Sequence, residues 1–274
     1  MSREIRIPGV EFSGPGFQDP PVDDLADSAG AFLYMDLSHP ELPVTGVPAS
    51  VPNLVAETAA ALAAASTPAS ITLTSAFTSS SGRTERTAKG GLHIVPSKVN
   101  DVAAQTFQAQ MAPALATWAR TQQTDWWFLS MSVRVTRAGT AGTEQQMARL
   151  GQNTSTYIAS VSEGSAGTSS FGLPLPNRTS SPTPGLANLC VAAQGSGSMT
   201  NIAQSFLLGG PVNATYLHKA PSYIVYNLFI DNLTSSGRSY AESRALSGAV
   251  HSAGHSIGGR WAGDTWSAPA DLIA

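Results

Sequence analysis

The alternation of apolar and polar side chains is clearest between Trp126 and Thr136. Trp127, Leu129, Met131, Val133 and Val135 fall on one side, and Phe128, Ser130, Ser132, Arg134 and Thr136 on the other. Period two of this length predicts a half-buried antiparallel strand. Tyr223 to Leu233 predicts a second strand from its density of aromatic and β-branched residues. Shorter strands are predicted within Gly30–Leu37, Ile71–Ser75, Leu92–Val95, Thr156–Val161, Ala187–Ala192 and near Ser205–Leu208.

Three helices are expected. Asn53 is placed to cap one that runs to about Ala65, with Glu57 in its first turn, where the helix dipole favours an acid. Phe107, Met111, Leu115 and Trp118 recur at 3–4 spacing, which predicts a helix from about Asp101 to Arg120 with a kink at Pro113. Ser239 followed by Glu242 forms a capping box, so a third helix starts at Tyr240, carries Leu246, Ala249 and Val250 on one face, and stops near Gly254. Arg260–Ala262 and Thr265–Trp266, split by Gly263–Asp264, suggest a small hairpin.

The first fifty residues differ from the rest. Pro8, Pro15, Pro20, Pro21, Pro40, Pro43, Pro48 and Pro52 recur among glycines. Proline fixes φ and removes a donor, which excludes a continuous helix or central strand through them. The chain therefore divides into an extended arm, residues 1–52, and a domain, residues 53–274. The arm either packs on its own domain or reaches a neighbouring subunit, and both remain open at this point.

Composition narrows the function. Charged residues make up 12% of the 274 and the formal net charge is −3, so counterion-displacing nucleic-acid binding is not expected. Low charge with abundant Ser, Thr, Gly and Pro fits a surface covered by neighbours. Cys190 is the single cysteine; it allows no intrachain disulfide or thiolate zinc site and is expected as a buried apolar thiol. The start Met1–Arg6 opens no apolar signal region, and the longest apolar stretch, Ala59–Ala65, is too short to span a membrane. Synthesis in a reducing cytoplasm, with no membrane insertion, is the expectation.

Several patterns invite a catalytic or binding reading. Gly254–His255–Ser256–Ile257–Gly258 matches the G-x-S-x-G nucleophile elbow. An elbow needs a strand before its serine and a helix after it, whereas here a helix precedes it and Gly259 follows; the histidine of a triad would also have to come later in the chain. No catalytic residue is assigned. His251 and His255 have i, i+4 spacing, but the zincin glutamate is replaced by Ser252, and no metal site is assigned. Asp19, Asp23, Asp24 and Asp27 lack the alternation of a calcium loop. No phosphate- or dinucleotide-cradling glycine motif occurs, so no cofactor is expected. Sequons at Asn153, Asn177, Asn213 and Asn232 are compositional. Trp261, Trp266, Asp264 and Arg260 could form a sugar platform, since aromatic faces and paired polar groups suit pyranose rings; packing of these tryptophans is the competing and preferred reading.

Three sets of residues resemble structural proteins of tailed bacteriophages. The first is Gly30-Ala31-Phe32-Leu33-Tyr34-Met35-Asp36 with His39-Pro40, Gly46-Val47-Pro48 and Val51-Pro52-Asn53-Leu54. The second is Gly90-Gly91-Leu92-His93 with Phe128 to Arg137. The third is Tyr226 to Leu233, continuing through Ser236-Gly237-Arg238-Ser239-Tyr240-Ala241-Glu242 to Gly258-Gly259-Arg260. The second and third also look like strands of concanavalin-like and laminin-G-like β-sandwiches. The resemblance implies a mainly β, antiparallel, jelly-roll-like sandwich with a few short helices and the extended N-terminal arm. It also implies a virion component at the tail tip or fibre, whose partners are other virion proteins and copies of itself. A host-surface glycan or receptor is the alternative partner, and a capsid decoration protein the alternative role. The calcium-ligand clusters of many such lectins are not evident.

Overall fold

The structure, a computed structural model, describes residues 24–39, 42, 45–64, 70–99, 107–140, 145–152, 157–163, 184–202, 205–207 and 218–273. Their strands are β1 (Ala31–Asp36), β2 (Ser50–Pro52), β3 (Ser70–Ser75), β4 (Gly82–Arg86), β5 (Leu92–Pro96), β6 (Phe107–Gln110), β7 (Trp127–Arg137), β8 (Gln145–Gly151), β9 (Tyr157–Glu163), β10 (Gly185–Ala193), β11 (Ser205–Leu207) and β12 (Ser222–Asn232). The helices are α1 (Ala56–Ala63), α2 (Pro113–Thr121), α3 (Leu233–Ser236), α4 (Tyr240–His255) and α5 (Pro269–Leu272). The chain is mainly β, with antiparallel pairing throughout and short helices at the periphery.

The main sheet runs β10-β7-β12-β5-β4, and β1 adds to β12 beside β5. β12 is its axis. One edge pairs with β7 along nearly its whole length, and the other is shared by β5 at Tyr223–Val225 and β1 at Asn227–Asp231. All eleven residues of β12 are buried. A second sheet, β11-β6-β3-β2, and the β8–β9 hairpin lie against one face of the main sheet. The core between them takes Leu129, Met131 and Val133 from β7, Val225, Leu228 and Ile230 from β12, Ile71 and Leu73 from β3, and Phe107 and Ala109 from β6. The alternation read at Trp126–Thr136 divides core from outer face, but the strand is not half-buried as expected: Phe128, Ser130 and Ser132 on its outer face are buried too.

The outer face carries Phe128, Phe229, Ile224 and Tyr226, and α4 lies across β10 and β7 on that side. The expected capping box forms: Ser239 Oγ accepts from the Glu242 amide, and the Glu242 carboxylate accepts from the Ser239 amide. The buried face of α4 is not the expected Leu246, Ala249 and Val250 stripe. It is lined by Ser243, Ser247 and Gly254, with Leu246 and Val250 at its margins. Small residues let the helix sit close over a sheet face already filled by aromatic rings.

Other expectations are corrected. Of the two outcomes left open for the 1–52 arm, its described part takes the first and packs on its own domain, and the boundary at 52 is what changes: β1 is buried at every position and hydrogen-bonds the central strand. A strand between prolines suffices, because Ala31–Asp36 contains none. Residues 1–23, with the acids Asp19 and Asp23, lie outside the described residues. Asn53 does not cap α1. Its Oδ1 accepts from the Tyr34 amide at 2.9 Å and ties the loop to β1, while Val55 occupies the cap position. Of the helix expected over 101–120, residues 101–106 lie outside the described residues and the rest is β6 followed by α2; Pro113 starts α2 instead of kinking it, the position where its missing N–H is harmless. Residues 260–263 form turns and 264–266 run on without strand pairing, so no hairpin forms there.

Candidate functional site

The four residues singled out at the C-terminus lie in a strap, residues 256–268, that crosses the outer face of the main sheet. A β-bulge positions its main partner. Register shifts between Val225 and Asn227 opposite β7, which places Asn227 across from Ser132 and leaves Tyr226 as the extra residue. Bulges re-aim side chains in this way. Asn227 Oδ1 accepts from the Ser132 amide at 3.1 Å, satisfying a donor at the point where the ladder is interrupted.

Tyr226 Oη donates to Asp264 Oδ2 at 2.9 Å, while the amides of Lys89 and Thr265 donate to Asp264 Oδ1 at 2.7 and 2.9 Å. Burial, and then the Asp264 carboxylate, push the Tyr226 hydroxyl well above its ordinary pKa, so it remains a donor. Trp261 is 1% exposed. Its ring stacks on Tyr226 at 4.9 Å, the Arg260 guanidinium lies 4.4 Å from its centroid, and its Nε1 donates to Ser38 Oγ at 2.8 Å. Arg260 also pairs with the buried carboxylate of Asp36. Trp266 is half-buried beneath Arg134, whose guanidinium lies 5.1 Å from the ring centroid.

The expectation of a sugar platform is therefore corrected at Trp261, whose ring is enclosed and offers no open face. The structure does bring Arg260, Trp261 and Asp264 together, as a clasp between the strap and the sheet. Trp266 sits at its margin on Arg134.

His251 and His255 lie on α4 with ring centroids 4.8 Å apart, and His255 packs edge-on to Tyr226. Burial, the neighbouring His251 and Arg134 lower His255 to about 4; burial and Arg134 lower His251. Among the described residues no group of three or more His, Cys, Asp or Glu could hold a metal. Ser256 stands at the C-cap of α4 and its Oγ donates to Ala253 O at 2.9 Å. The G-x-S-x-G match is thus a helix end followed by turns. Gly254 is needed because a Cβ there would lie 2.1 Å from Trp261 Cε3, and Gly258 because its φ is +83°.

A second polar group was missed in the sequence. His93 on β5 is fully buried; its Nδ1 lies 2.9 Å from Glu85 Oε1 on β4 and its Nε2 2.8 Å from Thr136 Oγ1 on β7. Burial raises Glu85, but hydrogen bonds from His93 and Ser267 outweigh it and hold the carboxyl below its usual range. Burial lowers His93 against the pull of Glu85. A neutral imidazole that donates from Nδ1 to Glu85 and accepts at Nε2 from Thr136 satisfies both directions. The order hydroxyl, imidazole, carboxylate is that of a hydrolase triad. Here the imidazole is fully enclosed, and Ser267 of the strap binds both Glu85 oxygens at 2.8 Å. The group fastens strap to sheet. Glu85 and His93 face each other in the β4–β5 hairpin, a pairing that could have been read had β4 been recognised.

Cys190 is free and 3% exposed, and burial pushes its thiol up to about 11, in keeping with an apolar thiol. Asn232, one of the four sequons, is fully buried as the N-cap of α3; the other three lie outside the described residues. No helix among the described residues is long and apolar enough to cross a membrane.

At the far end of the outer face, a groove of about 320 Å³ is walled by Trp126 and Tyr240, floored by Ala192 and Leu233, and rimmed by Thr234 and Arg238. It was not anticipated from the sequence, because its walls come from segments more than a hundred residues apart.

No family model matches the chain, and no curated protein matches it. Among solved structures it is similar to the binding domain of botulinum neurotoxin DC in complex with rat synaptotagmin II, with a TM-score of 0.43 at 5% identity, over 80% of this chain and 51% of that one. It is also similar to a Trypanosoma rangeli sialidase in complex with sialic acid, with a TM-score of 0.36 at 12% identity, over 81% of this chain and 33% of that one. The chain thus spans about half the length of the first and a third of the second. The likeness concerns the β-rich fold alone.

Proposed function

We propose that this chain is a structural component of a tailed-bacteriophage virion, acting at the tail tip or fibre through protein–protein contacts in a symmetric assembly. One observation carries the reading. Much of the three sets that resemble phage structural proteins, far apart in sequence, falls in β1, β5, β7, β12 and α4, in or on the main sheet, while Val51–Pro52 lies in β2 of the second sheet. The polar groups of the strap add support, since they are engaged with one another and with the sheet, as suits a scaffold.

Antibody against the purified chain, applied to intact tailed particles from the source host and viewed by electron microscopy, tests the proposal. Decoration at the tail tip or fibre is the expected result. Particles whose tails remain undecorated, while the antibody recognises the free protein from the same lysate, contradict it.

A further inference from the structure

The strap, residues 256–268, is held to the outer face mainly by side chains. It forms no strand, and Trp261 is its single buried residue. Its bonds to the sheet side are few. Thr265 O accepts from the Ala88 amide at 3.0 Å, Asp264 accepts from Tyr226 and the Lys89 amide, Ser267 bonds Glu85, and Trp261 donates to Ser38. A segment with so little buried apolar surface opens at lower cost than the sheet unfolds.

At the base of the strap the last turns of α4 carry two imidazoles with no room for an added proton. The rings of His251 and His255 lie 4.8 Å apart, and His251 Nδ1 and His255 Nε2 are enclosed without a hydrogen-bond partner. From β7, Arg134 acts on both rings and lies over Trp266 of the strap. From β12, Tyr226 meets His255 edge-on but donates its proton to Asp264. From the strap, Asp264 is the one carboxylate acting on His255, and it already accepts from Tyr226, Lys89 and Thr265. Arg260 is paired with Asp36. On β5, His93 belongs to a separate group, facing Glu85, Thr136 and Arg137, with Asp264 acting on it as well.

We propose that the strap is an acid-released cover: protonation of the His251–His255 pair favours a state in which residues 256–268 lift from the outer face while the main sheet stays folded. Lifting gives both rings water. It also uncovers Ile224 and Tyr226, now 0% exposed, so an apolar face hidden at neutral pH is offered in acid. This holds whether or not the chain belongs to a virion.

The sign follows from the closed form. Burial, then the neighbouring charges, hold both imidazoles below 6.5, His255 at about 4. Above 6.5 they are neutral in both forms and opening is insensitive to pH. As pH falls from 6.5 toward 4, the open form takes up protons that the closed form resists, and its share rises. Glu85, held below its usual range, keeps its bonds to Ser267 through this window. The full shift of His255 would favour opening about thirtyfold at pH 5; the ring is partly exposed, and solvent screening reduces the expected change to about tenfold.

Amide hydrogen exchange on the full chain, expressed as protection over each amide's intrinsic rate, tests the proposal. The Ala88, Lys89 and Trp261 amides report the strap, and Leu129 and Ile230 report the sheet. At pH 5 the strap reporters should be at least about hundredfold less protected than the sheet reporters, and about tenfold less protected than at pH 7.5. His251→Gln with His255→Gln, which keeps polar side chains that take up no proton, should abolish the difference between the two pH values. Arg134→Gln, which removes the neighbouring cation, should make it shallower. Strap reporters as protected as Leu129 and Ile230 at pH 5, equal protection at the two pH values, or a tenfold loss that persists in the double variant would each overturn the proposal.

Discussion

Tyr226 Oη donates to Asp264 Oδ2 over 2.9 Å, and this bond joins the central strand of the main sheet to the strap that closes over it. The bulge at Tyr226–Asn227 makes the tyrosine available to the outer face. Tyr226→Phe keeps the stacked ring on Trp261 and removes only the donor, while Asp264 retains the amides of Lys89 and Thr265. The expected loss is about 1–2 kcal/mol, read from the urea midpoint at unchanged m-value.

Two glycines of α4 should respond oppositely to the same change. A Cβ at Gly254 would lie 2.1 Å from the buried Trp261 ring, whereas at Gly248 the nearest atom is Asn188 Nδ2 at 3.9 Å. Gly248→Ala should stabilise by up to about 1 kcal/mol through helix propensity. Gly254→Ala should destabilise by roughly 1–3 kcal/mol through overpacking. Thermal melts of the two variants, compared with the natural chain, check both signs.

Asn227 fills a role that only an acceptor can. Asn227→Ala removes the oxygen that receives the Ser132 amide and leaves that donor buried without it, at a cost of about 1–3 kcal/mol. Asn227→Asp retains an acceptor and should recover part of the loss. Equal destabilisation by the two substitutions, in equilibrium unfolding, would contradict the acceptor role.

Stability should fall with acid before the carboxylates titrate. His93, His251 and His255 are all shifted below the ordinary 6.5. Above pH 6.5 the folded and unfolded chains both hold neutral imidazoles. As pH drops below 6.5 the unfolded chain takes up protons that the fold resists, and the loss continues to about pH 4, where His255 itself protonates. Asp231, raised by burial, opposes this trend as it protonates in the fold. Urea midpoints should decline between pH 7 and pH 5, and the decline should be shallower in His255→Gln.

The long strands were legible because alternation and propensity agree along Trp127–Val135 and Tyr223–Leu233. The α4 start was legible because its cap is local. β4 was not: Gly-Arg-Thr-Glu-Arg offers no apolar side chain, and its strand character comes from pairing with β5 at the sheet edge. β6 was hidden because Phe107 and Met111 happen to continue the 3–4 spacing of α2. At the candidate site the tryptophans and Asp264 were visible, but their meaning depended on distant partners. Trp261 bonds Ser38, 223 residues earlier in the chain, and nothing near Gly263 announces that the ring will be enclosed. β1 was recognised as a strand but assigned to an arm, since its flanking prolines said nothing about the central strand it would join.

That correction also fixes how the contact-based account must be tested. A chain starting at Asn53 would lose a core strand, whereas one starting at Asp24 retains β1 and the Arg238 anchor. Sedimentation of the full chain and of the Asp24 form, at matched concentration and with melts confirming that both fold, is the most direct measurement. The account predicts a closed oligomer for the full chain and a smaller species for the shortened one. A monomer in both forms would contradict it.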